Sequence, residues 1–418
     1  MTNQTVQSRL VNASPVHYGW VILAAGTFGS FMTLPGQTAG VSVFFDPITS
    51  DLQISRTWAS AAYAAGTLAG ILPAPVIGRW IDRRGPRLSA GLIAAGLALA
   101  CAFMALVDSR WMLLVGFALL RGAAIGGLSL VSQQVVNLWF VQRRGLAAAA
   151  ASLGLAAGSM IFPLCIDYLI ALYGWRGAYI ALAILVAATM LPVAALLFRD
   201  RPERFGLTTD AGLPVPAKKV RDEPSFTRSE ALRTRAFWLL CALGFLTNAI
   251  GTALLLNHFS IMQSAGIGRG EALQVLTVYA AVQVAVTLCT GALLDHFEPH
   301  RLVPLPMLLL AAAAALPALS HGVAASWLYA LCLGGAYGSQ QAIGAAGYAQ
   351  YFGRDHLGAI RGTSFVFGIS GAAFGPLPFS ASMDLTGSYF LALSSSAAFC
   401  ILCAAASFVT RRPGTPDR

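Results

Sequence analysis

The chain has 418 residues, of which 57% are hydrophobic and 11% are charged, and its mean hydropathy is +0.69. A soluble domain cannot bury so much apolar surface while exposing so few charges, so this composition excludes a soluble globular protein. The net charge of +10 would suit nucleic-acid binding, but the basic residues are spread over the ends of apolar runs. That distribution excludes a single polyanion-binding patch.

Twelve apolar runs are each long enough to cross a bilayer as a helix, which takes about 20 residues. The runs do not alternate with the two-residue period of a membrane strand, so we predict a helical membrane protein. The first run is longer than the apolar core of a signal peptide, and we expect residues 1–17 to be a short tail of the mature chain. We number the runs as spans 1 to 12, and they cover about residues 20–45, 58–80, 88–107, 111–136, 146–172, 177–198, 236–262, 271–294, 302–320, 324–347, 357–383 and 388–410.

The distribution of Lys and Arg predicts how the spans are oriented. If the amino terminus is cytoplasmic, the loops, the tails and the adjoining span ends on that side hold 22 of the 27 Lys and Arg residues. Cytoplasmic loops of membrane proteins carry such an excess of positive residues. We therefore predict that both termini are cytoplasmic, and we call the opposite side of the membrane the outer side.

Span 1 contains the dipeptide Pro35-Gly36 in the middle of its apolar run. Proline lacks the backbone N–H that a helix interior requires, so we expect the helix to break there. A broken helix at membrane depth is tolerated where it lines a cavity. We therefore predict that Gln37 and the freed carbonyls beside it form part of a cavity wall.

The stretch "GRWIDRRGPR" (78–87) follows span 2 and holds four arginines and an aspartate between two apolar runs. We expect Gly78 to allow a close approach of two helices. Asp82 can accept hydrogen bonds from the amino end of a neighbouring helix or from an arginine. Arg83 and Arg87 would belong to a cytoplasmic cluster that pairs in one conformation and separates in the other. The alternative is a charge cluster that serves only to orient the spans.

Arg121 lies about ten residues into span 4, roughly 15 Å along a helix. An ionisable side chain at that depth is costly and is usually retained for a function. Arg121 could bind an anionic substrate or take part in proton-linked switching. The alternative is a structural arginine that bonds to the carbonyls of a neighbouring helix.

The polar interval 199–235 separates six spans from six, and the stretch "GALLDHFEPHR" then repeats the pattern that follows span 2. Gly291 and Asp295 follow span 8 as Gly78 and Asp82 follow span 2. An internal repeat of this kind is typical of transporters built from two bundles around a central site.

A second pair of stretches repeats with the same offset of about 212 residues. "WFVQRRG" (139–145) follows span 4, and "YFGRDHLG" (351–358) follows span 10. We therefore predict two pseudo-symmetric six-helix bundles joined by a cytoplasmic linker that carries a short helix at 228–235. The predicted domains are 1–198 for the first bundle, 199–235 for the linker and 236–418 for the second bundle.

The second half of the chain has several polar side chains within its spans. Asn257 and His258 fall in the outer half of span 7, and His258 could titrate near neutral pH or be held by a neighbouring carbonyl. Amides within spans either contact a solute or join helices. The other candidates of this kind are Asn248, Gln283, Gln340 and Gln341.

Several of these stretches resemble motifs of one known family. "GRWIDRRGPR" is similar to the signature loop of the major facilitator superfamily, and "LLRGAAIG" (119–126) resembles its arginine-bearing motif in span 4. Further stretches resemble the branch that contains monocarboxylate porters and oxalate–formate antiporters. These are "YGWVILAAGTF" (18–28), "LPGQTAGVSVFFDPI" (34–48), "WFVQRRGLAAAAASLGLAAG" (139–158) and "GWRGAY" (174–179).

The resemblance implies a fold of twelve spans and transport by alternating access, but the charged residues depart from the branch. Monocarboxylate porters usually carry an arginine in span 8, and counting back from Asp295 places Thr287 there. In animal members a lysine follows the proline of span 1, whereas this chain has Gly36. The antiporter's lysine in span 11 has no equivalent in "SFVFGISGAAFGPLPF" (364–379).

We therefore predict a secondary active transporter of the inner or plasma membrane that moves a small organic solute, with a monocarboxylate or related anion expected. The alternatives are efflux of amphipathic or drug-like compounds, a sensor that has lost transport, and an intramembrane enzyme, for which no nucleophile with its base is visible. The phosphate-binding pattern G-x-x-x-x-G-K-[ST] is absent. We expect no cofactor, no metal and no nucleic acid, with the solute, a coupling proton and the lipid bilayer as the partners of a monomer.

Overall fold

The computed structural model describes residues 11, 14–140, 144–209, 226–294, 296–319, 322–353 and 357–409. Within these residues all regular structure is helical, which confirms the predicted all-α class. Eight of the described helices are long and apolar enough to cross a membrane. They are Arg56–Ile81, Pro86–Ala105, Arg110–Trp139, Ala150–Leu196, Arg235–Leu256, Arg269–Leu293, Ile360–Thr386 and Phe390–Phe408.

The chain forms two compact units. The first unit comprises Met1–Ile48 and Ala65–Lys218, and the second comprises Thr49–Ala64 and Lys219–Arg418. Span 2 therefore contributes residues 58–64 to the second unit and residues 65–80 to the first. The division into domains at 199–235 remains our proposal, and 210–225 of that linker lie outside the described residues.

In the first unit, several spans are interrupted where the sequence carries proline or glycine. Span 2 is built from two helices that meet at Pro73, and spans 5 and 6 form one run that bends at Gly174, where φ is 68°. Span 1 packs on spans 4 and 5–6, and span 3 packs on spans 5–6. The helices of this unit are Tyr18–Phe31, Leu34–Gly36 (3₁₀), Thr38–Asp51, Arg56–Ile71, Ala74–Arg84, Pro86–Ala105, Arg110–Arg121, Gly122–Ser129 (π), Leu130–Trp139, Arg144–Leu196 and Pro202–Phe205 (3₁₀), of which Thr38–Asp51 and Arg56–Ile71 extend into the second unit.

The second unit begins with a short capped helix. Thr227 accepts from the Glu230 N–H while the Glu230 carboxylate accepts from the Thr227 N–H, which is the reciprocal capping that starts a helix well. Span 8 packs on span 10, and span 7 packs on span 11. The helices that follow residue 219 are Arg228–Leu232, Arg235–Leu256, His258–Ser264, Arg269–Leu293, Pro299–Leu302, Pro304–Leu319, Val323–Phe352, Leu357–Phe374, Pro376–Thr386 and Phe390–Val409.

Spans 8 and 10 lie in close contact because span 10 presents two glycines to span 8. A Cβ on Gly334 would lie 2.5 Å from the carbonyl oxygen of Tyr279, and one on Gly338 would lie 2.5 Å from that of Gln283. Only glycine leaves room for backbones this close, as in small-residue packing of membrane helices. The contact fixes the register of span 10 against span 8, and so fixes where their polar side chains meet.

Candidate functional site

The predicted break in span 1 is confirmed. The first helix ends at Phe31, a 3₁₀ turn covers Leu34–Gly36 with proline at its start, and the second helix begins at Thr38. Gln37 between them has extended backbone angles (φ −85°, ψ 158°), and its side-chain amide donates to the hydroxyl of Thr33 at 3.3 Å. The break therefore places a polar side chain and irregular backbone within the apolar run.

Arg121 of span 4 is joined to this break. Its Nη1 donates a hydrogen bond to the carbonyl oxygen of Gly36 at 3.1 Å, and the side chain is only 3% exposed. A guanidinium has five N–H donors in a planar fork, so it suits carbonyl or carboxylate oxygens. The bond to a carbonyl is what the structural alternative requires, whereas substrate binding by Arg121 stays a prediction.

Two glycine contacts hold span 4 against its neighbours around Arg121. A Cβ on Gly36 would lie 2.5 Å from the Cβ of Ala124 and 2.6 Å from the carbonyl oxygen of Leu120. One on Gly70 of span 2 would lie 2.6 Å from the backbone nitrogen of Gly122. Immediately after Arg121, span 4 continues as a π-helix, a local form that is frequent at functional sites.

The turn after span 2 is the second predicted site. Arg83 and Arg87 are exposed on either side of Gly85, which has φ 83° and ψ 156°, a region that is almost restricted to glycine. A Cβ on Gly85 would collide with a carboxylate oxygen of Asp200. Asp200 therefore packs on this turn, and its carbonyl also accepts from Trp139 Nε1 at 2.6 Å.

The close helix approach predicted at Gly78 is wrong. A Cβ there would meet only a methyl group of Leu130 at 3.9 Å, which is an ordinary contact. The tight approach lies two turns earlier, at Gly70. At Gly291, the equivalent of Gly78, a Cβ would meet no atom within 4 Å.

Gly78 and Gly291 are each followed four residues later by an aspartate of the predicted gate, Asp82 or Asp295. Asp82 falls within the helix Ala74–Arg84, but its side chain lies outside what the structure describes, and Asp295 lies outside the described residues altogether. Their gating roles therefore remain predictions.

In the second unit, Thr287 of span 8 contacts the side chain of one predicted glutamine, Gln341 of span 10. The hydroxyl of Thr287 donates to the carbonyl of Gln283 at 2.7 Å and lies 3.4 Å from the side-chain oxygen of Gln341. Gln340, the next residue on span 10, lies toward Gly244 of span 7. These amides and this hydroxyl can offer hydrogen bonds to a solute, but they carry no charge.

Asn257 and His258 lie where the long helix of span 7 ends at Leu256 and a short helix begins. Counted along a helix, this is about 20 Å from Gly244, so these two residues are far from Gln340. The Nε2 of His258 contacts the carbonyl of Ala272 at 2.9 Å, so Nε2 is the donor and carries the hydrogen. This is the carbonyl-bound histidine of the structural alternative, and a role in proton coupling stays a prediction.

Three charged residues with structural roles were missed in the sequence. Asp200 was read only as part of the linker, although it contacts the turn at Gly85. Arg56 and Asp384 were assigned no role, although both bond to neighbouring helices. The signal available in the sequence was their position immediately beside the end of an apolar run.

Comparison with known proteins gives relatives of transporter type at low identity. The chain is 26% identical to the oxalate:formate antiporter of Oxalobacter formigenes over 58% of its own length and 54% of the antiporter. It is 28% identical to monocarboxylate transporter 11 of Mus musculus over 70% of its length and 62% of that protein. It is also 29% identical to the multidrug resistance protein MdtG of Dickeya zeae over 35% of each chain. The matched regions thus span roughly a third to three fifths of these relatives.

Among solved structures, the fold is similar to that of a bacterial homologue of the human lysosomal transporter Spinster. The TM-score is 0.70 at 16% identity, and the alignment covers 95% of this chain and 97% of the other. The family model of the Major Facilitator Superfamily matches residues 20–376. This chain therefore belongs to the Major Facilitator Superfamily and is a multi-pass membrane protein of the transporter type.

Proposed function

We propose that this chain is a secondary active transporter that carries a small organic anion, a monocarboxylate or a related compound, by alternating access. The observation that supports the anion most strongly is the buried guanidinium of Arg121 beside the break in span 1, with its 3.1 Å bond to the Gly36 carbonyl. A cation buried at membrane depth is costly and is usually kept for a function.

The charge of the solute follows from the cost of desolvation. A carboxylate that leaves water for the interior needs a positive partner, because an unpaired buried charge is very costly. Thr287 stands where related porters have an arginine, so Arg121 takes that role in our proposal. The names of two relatives, an oxalate:formate antiporter and a monocarboxylate transporter, agree with an anionic solute.

The contact between Arg121 and Gly36 also provides a route from binding to movement. A carboxylate is a stronger acceptor for a guanidinium than a neutral carbonyl. A bound solute would therefore compete with the Gly36 carbonyl for Arg121 and loosen the break from span 4. Such breaks in spans are the places where transporters bind solutes and change shape.

The remaining features of the proposal follow from the predicted topology. We place the protein in the inner or plasma membrane as a monomer, with both termini in the cytoplasm, because of the bias of Lys and Arg. A coupling proton is part of the proposal, with His258 as its candidate carrier.

A second candidate is efflux of amphipathic or drug-like compounds. The polar groups that meet between spans 8 and 10, which are the Thr287 hydroxyl and the Gln341 amide, are uncharged and would tolerate a neutral or cationic compound. The resemblance to a multidrug resistance protein supports this alternative.

Purified protein separates these candidates. A thermal-unfolding screen against formate, oxalate and lactate, with an amphipathic cationic dye as the comparison, identifies the ligand class because binding to the native state raises stability. The stabilising compound is then tested for saturable flux into proteoliposomes. Saturable carboxylate flux supports the proposal, and stabilisation by the dye alone favours efflux. Binding without flux supports a sensor, and chemical conversion of the compound supports an enzyme.

A further inference from the structure

The outer end of span 2 is capped by a side chain from span 11. The helix Arg56–Ile71 begins at Arg56, and the N–H of Thr57 donates to the carboxylate of Asp384 at 2.7 Å. The first N–H groups of a helix have no partner within it, and a negative charge there is favourable. Both residues belong to the second unit, so the first turn of span 2 is completed from the carboxyl half of the chain.

One turn deeper, the same helix bonds to span 11 again. The hydroxyl oxygens of Ser60 and Ser380 are 2.6 Å apart, and both side chains are fully buried. The Ser380 hydroxyl also donates to the side-chain oxygen of Asn257 at 3.3 Å. A serine has one hydrogen to donate, so Ser60 donates to Ser380, and Ser380 donates to Asn257.

Asn257 is the acceptor at which these contacts converge. Besides Ser380, its side-chain oxygen accepts from Arg56 Nη2 at 3.3 Å, and the hydroxyl of Tyr389, which donates to Ser260 at 2.9 Å, lies 3.5 Å from it. Its side-chain nitrogen donates to the carbonyl of Ala253, so both ends of the amide are used and its orientation is fixed. Asn257 has no exposed surface and lies between the two helices of span 7.

We propose that Arg56, Ser60, Asn257, Ser380 and Asp384 form an outer lock, which holds the outer half of span 2 on spans 7 and 11 in one state of the transport cycle and releases it in the other. Asn257 thereby sets the balance of the two states and does not bind the solute. The proposal rests on the proposed function, because only a protein that alternates between two states needs such a lock.

Two physical properties suit these contacts to a lock. Hydrogen bonds can be exchanged for bonds to water at a small net cost, so polar contacts can part more readily than packed apolar ones. The first turns of the helix are joined to spans 7 and 11 by a few such bonds, so the lock can part without breaking the backbone hydrogen bonds of the helix itself.

The test measures access to the outer side and requires no solute. Ala64→Cys serves as the reporter, since Ala64 is 3% exposed and lies one turn below Ser60 on span 2. Its rate of reaction with a membrane-impermeant thiol reagent added from the outer side is measured, with protein lacking the reporter as the blank. We expect Asn257→Ala, and separately Ser380→Ala, to raise the rate roughly tenfold.

The matched control is Ser370→Ala on the same span. The Ser370 hydroxyl is exposed and donates to the carbonyl of Val366 in its own helix at 2.9 Å, so its removal should leave the rate unchanged. Unchanged reactivity in both Asn257→Ala and Ser380→Ala would overturn the lock, as would an equal increase in the control. If the Asn257→Ala protein does not fold, the labelling rate of the Ser380→Ala protein alone tests the lock.

A cross-link provides the second readout. Ser60→Cys with Ser380→Cys should form a disulfide, and oxidation should suppress the reporter's reaction in the Asn257→Ala background until a reductant is added. Rapid labelling of the oxidised protein would contradict the lock. The proposed function is tested separately. Absence of carboxylate transport in proteoliposomes would refute that function, whereas the labelling rates would still show whether the outer lock exists.

Discussion

Arg121 and Gly36 are joined by a hydrogen bond from the guanidinium to the backbone carbonyl, at the one place where the helix of span 1 is interrupted among its described residues. The interruption frees that carbonyl, and the absence of a side chain on Gly36 lets span 4 come close enough to reach it. Two features that the sequence presents separately, a proline-glycine pair and a buried arginine, thus form one element. This element is where we expect binding and movement to be linked.

Substitution of Gly36 by alanine tests how tightly this element is packed. The new Cβ would lie 2.5 Å from Ala124 Cβ and 2.6 Å from the Leu120 carbonyl, so we expect a loss of about 1–3 kcal/mol in stability and slower transport. Gly96→Ala in span 3 is the control, because a Cβ there meets no atom within 4 Å. Thermal unfolding of both purified variants is the measurement. Equal melting temperatures would show that span 4 does not press on the break.

A second pair of glycines tests the contact between Asp200 and the turn after span 2. Gly85 and Gly174 both have backbone angles that other residues rarely adopt, at φ 83°, ψ 156° and φ 68°, ψ 172°. Only at Gly85 would a Cβ also collide, with the Asp200 carboxylate. We therefore expect Gly85→Ala to lower the melting temperature more than Gly174→Ala, since both lose about 1–3 kcal/mol through the backbone alone. Equal losses of melting temperature in the two variants would show that Asp200 does not press on the turn at Gly85.

Thr287→Val tests whether the amides between spans 8 and 10 contact the solute. The change removes the hydroxyl that donates to the Gln283 carbonyl and lies beside Gln341, while it keeps the volume of the side chain. We expect a roughly 2–10-fold loss of affinity for the stabilising compound, the effect of one lost hydrogen bond. Thr277→Val is the control, because the Thr277 hydroxyl donates to a carbonyl of the same span at 3.2 Å. The same affinity in both variants would place these amides outside the binding site.

His258→Gln tests proton coupling. Glutamine can keep a donor to the Ala272 carbonyl, which His258 Nε2 contacts at 2.9 Å, but it cannot take up a proton. We therefore expect the variant to lose accumulation driven by a pH gradient and to keep solute exchange at equal pH. Uptake into proteoliposomes with and without the gradient is the measurement. Unchanged accumulation would exclude His258 as the proton carrier.

The sequence predicted the features that depend on local chemistry. Long apolar runs predicted the helices, the Pro35-Gly36 pair predicted the break in span 1, and the polar residues 228–235 predicted the short helix that lies at Arg228–Leu232. In each case the deciding residues lie within a few positions of the element that they shape.

Contacts between distant residues could not be predicted in this way. Arg56 and Asn257 are 201 positions apart, and periodicity contains no information about which side chains meet across the fold. The π-helix after Arg121 depends on hydrogen-bond register, which an apolar run does not encode. For the same reason, Gly78 was assigned a close approach that Gly70 makes.

The affinity of an Arg121→Gln protein for the stabilising carboxylate tests the central claim most directly. Arg176→Gln is the matched control, because Arg176 also donates to a backbone carbonyl, that of Val107 at 3.0 Å, but lies in an outer loop of the sequence-based topology. We predict that Arg121→Gln loses roughly 10–100-fold in affinity, that Arg121→Lys is also weakened because a point charge cannot replace the planar fork, and that Arg176→Gln binds as the wild type does. Wild-type affinity in a folded Arg121→Gln protein would contradict the account.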